Sequence, residues 1–294
     1  MIDQVKKTKY GYYELINKPS PEELSEYYTK KYFQETKGAY QKEYSDSEIK
    51  FIKNRIKRKF VIINDIISPG HRKKFLDIGC GEGWSLSFFH SQGWEVKGLD
   101  FSTFGCQSKN PDMVQFIEDG NVFDNIRKLA DSTETYDVIL LDNVLEHVYD
   151  PEELIHILPN NLNHNGILCI EVPNDFSVLQ QYLYNQQKID NAFWVAIPDH
   201  ISYFNANGLK KLMSAYGWEL FHLNTDYPLD LNLLNPDSNY VMDKGKGKNV
   251  HLARVDIENL LDDINSELAI KLLSVYADMG LGRNIIGFFK RAYK

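Results

Sequence analysis

Three glycines, Gly79, Gly81 and Gly83, follow an apolar run and precede a helix-like run in "FLDIGCGEGWSLSFF". Glycines between a strand and a helix let the backbone pass close to a ligand. The spacing is G-x-G-x-G, and the bulky Trp84 stands where a dinucleotide fingerprint needs its third glycine. Asp77, two residues before the first glycine, would repel a pyrophosphate and suits an amino group. Asp100 closes the next apolar run, where an acid can accept both ribose hydroxyls of an adenosine. An acid for an amine, an acid for a ribose and a glycine turn without a phosphate cradle fit S-adenosylmethionine, a zwitterion with no phosphate.

The elements that must position these residues alternate. "KFLDIG", "WEVKGLD", "VQFIED", "YDVILLDN" and "GILCIEVPN" read as strands, separated by helices such as "GWSLSFFHSQG", "NVFDNIRKL" and "PEELIHILPNNL". Strands alternating with helices imply an α/β, doubly wound parallel sheet with ligands at the carboxyl ends of its strands. Residues 1–60 read as a helical lid: Ser20 caps a helix bearing Tyr27, Tyr28 and Tyr32, and a second helix runs from Ser47 to Ile67. Residues 61–227 and 282–294 read as the cofactor-binding domain, with sixth and last strands in "WELFHLNTDY" and "RNIIGFFKRAY". Residues 228–281 read as an insertion, a polar loop and then a helix from Arg254.

The 294 residues suit one main core with additions, and a net charge of −8 argues against a nucleic-acid partner. The basic runs "KNRIKRK" and "HRKK" read as a solvated helix face and a loop. No run of about 18 apolar residues and no signal peptide is evident, so no membrane span is expected and a cytoplasmic site is. The cysteines, Cys80, Cys106 and Cys169, have no C-x-x-C spacing, and no metal is expected. Glu146 and His147 with Asp142 are the one combination that could hold a cation. A homodimer could form through the aromatic helices of the first 60 residues.

In register, "FLDIGCGEGW", "VKGLDFS", "DGNVFDNI", "YDVILLDNVLEHVYDPEEL" and "GILCIEVPN" resemble the class I S-adenosylmethionine-dependent methyltransferases. The subgroup most similar comprises ubiquinone-biosynthesis and sugar methyltransferases, through "LEHVxDP" at Leu145 to Pro151. The resemblance covers about residues 60–225 and the last strand. It implies a seven-stranded, Rossmann-like, mostly parallel sheet with an antiparallel last strand. It places Gly79, Cys80, Gly81 and Gly83 along the methionine part of the cofactor, Asp77 at its amine, and Asp100 with Phe101 at its ribose. Gly120, Asn121 and Val122 stand where the family meets the adenine, although the family's Gly-Asp is Gly-Asn here and Asp119 comes one residue early. Asp142, Asn143 and His147 fall at the methionine end.

Methyl transfer is an in-line displacement that depends on alignment, and a hydroxyl acceptor must also lose a proton. Five of the eight histidines, His71, His90, His156, His164 and His222, read as structural. His147 reads as packing under the cofactor or as a participant. By the resemblance, His200 in "IPDHISYF" is the base and Asp199 the acid that orients it. Tyr203, Tyr182 and Trp194 are candidates for the substrate pocket. Asn239, Tyr240, Lys246, His251 and Arg254 form a polar, basic loop that could hold a phosphate. Together these imply O-methylation of a small anionic, sugar-type acceptor in surface-polysaccharide biosynthesis. C-methylation of a keto-sugar, methylation of a quinol, and cofactor binding without turnover are the alternatives.

Overall fold

The computed structural model describes residues 2–20, 23–24, 43–67 and 73–292. Its amino-terminal end is a hairpin, which corrects the expectation of helix there. Strands β1 (Val5–Lys7) and β2 (Tyr13–Leu15) pair antiparallel, and Gly11 takes φ +98° in the turn. β-branched and aromatic residues favour the strand state, and glycine accepts the left-handed turn. β2 also pairs with β8 (Ser202–Tyr203), in the segment that carries His200. Ser20 caps as expected: its hydroxyl accepts from the Glu23 N–H at 3.2 Å, and Glu23 accepts from the Ser20 N–H at 2.8 Å. The remainder of that expected helix, with its tyrosines, lies outside the described residues.

Helix α1 (Asp46–Ile66) starts with a capping box between Ser45 and Glu48. It buries Phe51, Ile56, Ile62 and Ile63 and, with them, Arg58 and Lys59. The sheet follows. Strands β3 (Lys74–Ile78), β4 (Glu95–Asp100), β5 (Ile117–Asp119), β6 (Tyr136–Asp142), β7 (Leu162–Pro173), β9 (Trp218–Thr225) and β10 (Asn284–Arg291) lie in the order β5-β4-β3-β6-β7-β10-β9. The five strands from β5 across to β7 run parallel, and β10 inserts antiparallel between β7 and β9. Side chains alternate between the faces. Leu76, Ile139 and Leu141 pack into one core layer, and Phe75, Val138 and Leu140 into the other. Helices α2 (Trp84–Ser91), α3 (Phe104–Lys109), α4 (Val122–Ala130) and α5 (Pro151–Ile157) connect the parallel strands. Helix α6 (Val178–Asn185) and helix α7 (Ala206–Ala215) flank the segment around β8. The strand order reverses between β3 and β6, which opens a crevice at their carboxyl ends. No helix among the described residues is long and apolar enough to cross a membrane.

The insertion is mostly one helix, α8 (Gly247–Asp278), which begins well before Arg254. It bends at Asn265, whose side-chain oxygen accepts from the Leu268 N–H at 3.0 Å. Its first half lies along α1 through buried ion pairs. Arg58 reaches both Glu258 and Asp262, and Arg254 reaches Asp226 at 2.6 Å and Glu258 at 3.1 Å. Breaking such a group from one side strands its partners as uncompensated buried charges. Arg58→Ala should therefore lower stability by about 3–5 kcal/mol, read as a shift in the urea midpoint; a loss under about 1 kcal/mol would show that water reaches these pairs.

Candidate active site

The crevice holds a cavity of 360 Å³, walled by the ends of β3, β4 and β6 and by α1. Gly79 turns the chain out of β3 with φ +73°, and a Cβ there would fall 2.5 Å from the Val144 Cγ2. Only glycine fits both the angle and the space. The turn brings the Gly81 N–H to Asp100, which accepts at 2.7 Å on one oxygen and takes the Ser102 N–H at 3.2 Å on the other. These amides fix the Asp100 carboxyl at the cavity wall. Burial raises its pKa above the usual carboxylate range, and the backbone N–H groups restrain the rise.

Asp77 is the more exposed in energy and the less exposed in space. Its carboxyl is buried, and burial, then the neighbouring Asp142 and Asp100, push its pKa well up. Lys59 opposes this, and no hydrogen bond among the described residues does. A cation arriving in the cavity would relieve that cost. Opposite lies an apolar wall of Phe101, Val122 and Phe123, the two phenyl rings 6.0 Å apart and at 68°. Such a wall suits a flat base.

Two cations also reach the cavity, from the run read as a solvated helix face. Arg55 pairs with Glu171, and Lys59 pairs with Asp142 and, at 2.6 Å, with Glu171. Burial disfavours charge on Lys59, yet Asp142 and Glu171 outweigh it and its pKa ends above the usual value. Glu171 is fully buried, and Arg55 and Lys59 nevertheless hold it below the ordinary carboxyl range. Both cations already face carboxylates, so among the described residues every cation lining the cavity is paired with a carboxylate. The signal was in the sequence: Arg55 and Lys59 share a helical face with Phe51, Ile52 and Ile56.

His147 lines the cavity and is half-buried. Its Nδ1 lies 2.6 Å from the Asp199 carbonyl oxygen, which can only accept. The proton therefore sits on Nδ1, and the Nε2 is the basic atom. Asp199 orients this histidine through its backbone carbonyl. His200 sits behind, its ring 4.9 Å from that of His147 and at 78°. It does not line the cavity, and its buried Nδ1 has no hydrogen-bond partner among the described residues. The donor atoms of Glu146, His147 and His200 lie within 4.8 Å of one another, a grouping that takes His200 where the sequence suggested Asp142. Burial raises the Glu146 carboxyl well above its usual range and lowers both imidazoles, so it disfavours charge on all three.

Of the residues expected at the cofactor, Asp77, Gly79, Cys80, Gly81, Asp100, Phe101, Val122, Asp142, Asn143 and His147 line the cavity. Gly83 does not; it caps α2 with φ +76°. Gly120 and Asn121 also fall outside, because the Asn121 oxygen accepts from the Phe123 and Asp124 N–H groups as the cap of α4. The expected substrate residues are spent elsewhere. Tyr203 is buried with its hydroxyl on the His200 carbonyl, Trp194 is packed on Phe176 and Phe193, and Tyr182 faces solvent. The residues of the loop read as phosphate-holding make contacts within the fold. Asn239 donates to the Lys188 and Leu233 carbonyls, Tyr240 to Asp230, and Lys246 to the Pro236 carbonyl. His251 lies 3.5 Å from Glu48, and Arg254 is consumed by Asp226 and Glu258. None of the five lines the cavity.

The sequence profile of the family described as "Methyltransferase domain" matches residues 51–223. A ubiquinone biosynthesis O-methyltransferase of Aliivibrio fischeri is 31% identical over 109 residues, 32% of this chain and 45% of that protein. Its namesake in Parvibaculum lavamentivorans is 28% identical over 135 residues, 45% of this chain and 52% of that one. The chain thus spans about half the length of these curated relatives. A solved S-adenosylmethionine-dependent methyltransferase from Archaeoglobus fulgidus superposes with a TM-score of 0.49 at 18% identity, over 83% of this chain and 94% of its own.

The buried imidazoles set a pH dependence. Burial, with His147 and Arg283 adding to it, lowers His200 from 6.5 to about 3. A depressed histidine pKa means that the unfolded chain takes up a proton first as pH falls. This stability is therefore present above pH 6.5 and lost progressively towards pH 3. Between pH 7 and 5, the Tm of the wild type should fall more steeply than that of His200→Gln, by differential scanning fluorimetry. Parallel slopes would mean that the His200 ring is hydrated.

Proposed function

The chain belongs to the methyltransferase-domain family, and on that premise we propose that it transfers the methyl group of S-adenosylmethionine to a hydroxyl of a small acceptor, with His147 as the proton acceptor. The observation that carries this reading is one cavity with a buried, under-compensated Asp77, an amide-fixed Asp100 and a phenyl wall. These match, in order, an ammonium, a ribose diol and an adenine. Bound S-adenosylmethionine supplies an electrophilic methyl on a sulfonium centre. Asp77 would hold its amine, Asp100 its ribose, and Phe101 with Phe123 its base. Alignment is then the main contribution of the protein.

The Asp199 carbonyl keeps the Nδ1 of His147 protonated, so its Nε2 can receive the acceptor's proton. Because burial keeps this imidazole neutral below its usual pKa, the base is present across the physiological range. Glu146 and His200 pack beside it and set that polarity. With Arg254, His251, Tyr240 and Asn239 engaged inside the fold, the proposed acceptor is a hydroxyl compound held without a phosphate handle. A sugar-type acceptor in surface-polysaccharide assembly is carried by the sequence resemblance alone. A phenolic acceptor is the second reading, favoured by the names of the two curated relatives.

The test is methyl-labelled S-adenosylmethionine with a panel of sugars, sugar phosphates, nucleotide sugars and quinol analogues, products read by mass. His147→Asn should lower kcat by roughly 10²–10⁴-fold while the Kd for S-adenosylhomocysteine stays unchanged. Asp100→Ala should weaken S-adenosylhomocysteine binding instead. Full activity in His147→Asn would overturn the assignment of the base, and a preference for phosphorylated acceptors would overturn the neutral-acceptor reading.

A further inference from the structure

The far half of α8 carries apolar residues on two opposite sides. Ala269, Ile270, Leu273 and Ala277 are buried against the body of the protein. On the opposite side Leu268, Leu272, Val275 and Met279 stand in solvent, each between 39% and 59% exposed. Leu260 and Ile264, just before the bend, extend the same surface, and Val178 and Tyr182 of α6 are also exposed, with Val178 close to Gly280. The inner apolar side is already packed on the protein, and an exposed apolar patch of the kind left on the outer side marks an interface.

We propose that this face binds a second copy of the same chain, antiparallel, about a twofold axis near the middle of the 268–279 stretch. The spacing of Leu268, Leu272, Val275 and Met279 is four, three and four residues, the seam along which two helices interlock. An antiparallel twofold is self-complementary for this set. It sets Leu268 against Met279 of the second copy and Leu272 against Val275, and each of these contacts occurs twice. Charge complementarity selects the same arrangement. The exposed Lys271 and Asp278 flank the seam, and the twofold brings each Lys271 beside the Asp278 of the second copy. A parallel pairing would place the two copies of this flank on opposite sides of the seam, so Lys271 and the Asp278 of the second copy would not meet. The face is remote in sequence from every residue assigned to the cavity, so pairing leaves the cavity's own walls untouched.

Sedimentation velocity of the full chain between 1 and 100 μM, with lipid vesicles in a parallel flotation assay, tests this. The expected result is a concentration-dependent dimer whose Kd rises by roughly tenfold or more in Leu272→Asp and Val275→Asp, while their melting curves and S-adenosylhomocysteine binding match the wild type. Lys271→Asp should weaken the dimer and the added change Asp278→Lys should restore it, which separates this register from any other apolar contact. A wild type that is monomeric throughout overturns the proposal. So does a dimer that survives both aspartate variants, or binding to vesicles in place of self-association.

Discussion

The pairing of Lys59 and Arg55 with Glu171 and Asp142 holds the fold and the cavity in one arrangement. Asp77, Asp142 and Glu171 crowd the carboxyl ends of three neighbouring parallel strands, where burial disfavours charge on Asp77 and Glu171. The cations that relieve them come from α1, outside the sheet. That helix is thereby pinned over the crevice and becomes its wall. Buried pairs of this kind add little net stability compared with apolar packing, but they tolerate few alternatives, since a shift of the helix would strand several charges together. Lys59 is largely committed to Asp142 and Glu171, so Asp77 is left with too little positive charge. The same arithmetic that anchors the helix leaves one carboxyl in need of a cationic ligand, and the binding of such a ligand must stabilise the folded chain.

Much of this architecture was legible in the sequence because it is written locally. The alternation of apolar runs with helical segments, the cap at Ser20, the glycine turn and the acids ending β3 and β4 are all short-range patterns, and ten of the expected cofactor residues meet at one cavity. What was not legible depends on partners far along the chain. Arg55 and Glu171 are 116 residues apart, and nothing in "KNRIKRK" announces which carboxylates wait for it. The histidines were hard to read for a related reason. Adjacency of Asp199 and His200 suggested an acid orienting its neighbour, whereas the backbone of Asp199 orients His147, 52 residues upstream. Asn121 looked like a ligand for the adenine because an amide can accept a hydrogen bond, and it spends that capacity on the cap of its own helix. Side chains suited to a ligand are equally suited to holding the chain, and only the fold decides between the two uses.

The insertion makes the same point with the opposite sign. Its polar, basic composition read as a binding arm, yet Arg254, Glu258 and Asp262 turn inward and close the ion pairs against α1, while Leu260, Ile264 and Leu268 turn outward. A surface helix ordinarily does the reverse, putting its charges in water and its apolar residues on the core. Charges can afford to point inward here only because Arg58 and Asp226 meet them there, so the inner face of the first half is polar by necessity. The apolar residues that a simpler helix would bury are then left on the outer face, where water is a poor neighbour. In the first half of α8, before the bend at Asn265, polar cohesion inside and apolar exposure outside are two consequences of one choice of helical phase, made by the ion pairs with α1 and Asp226. A rotation that buried the outer leucines would pull Arg254 and Glu258 from their partners, at several kcal/mol for each charge stranded. The phase is therefore locked from within, and the outer face can be covered only by something that comes to it.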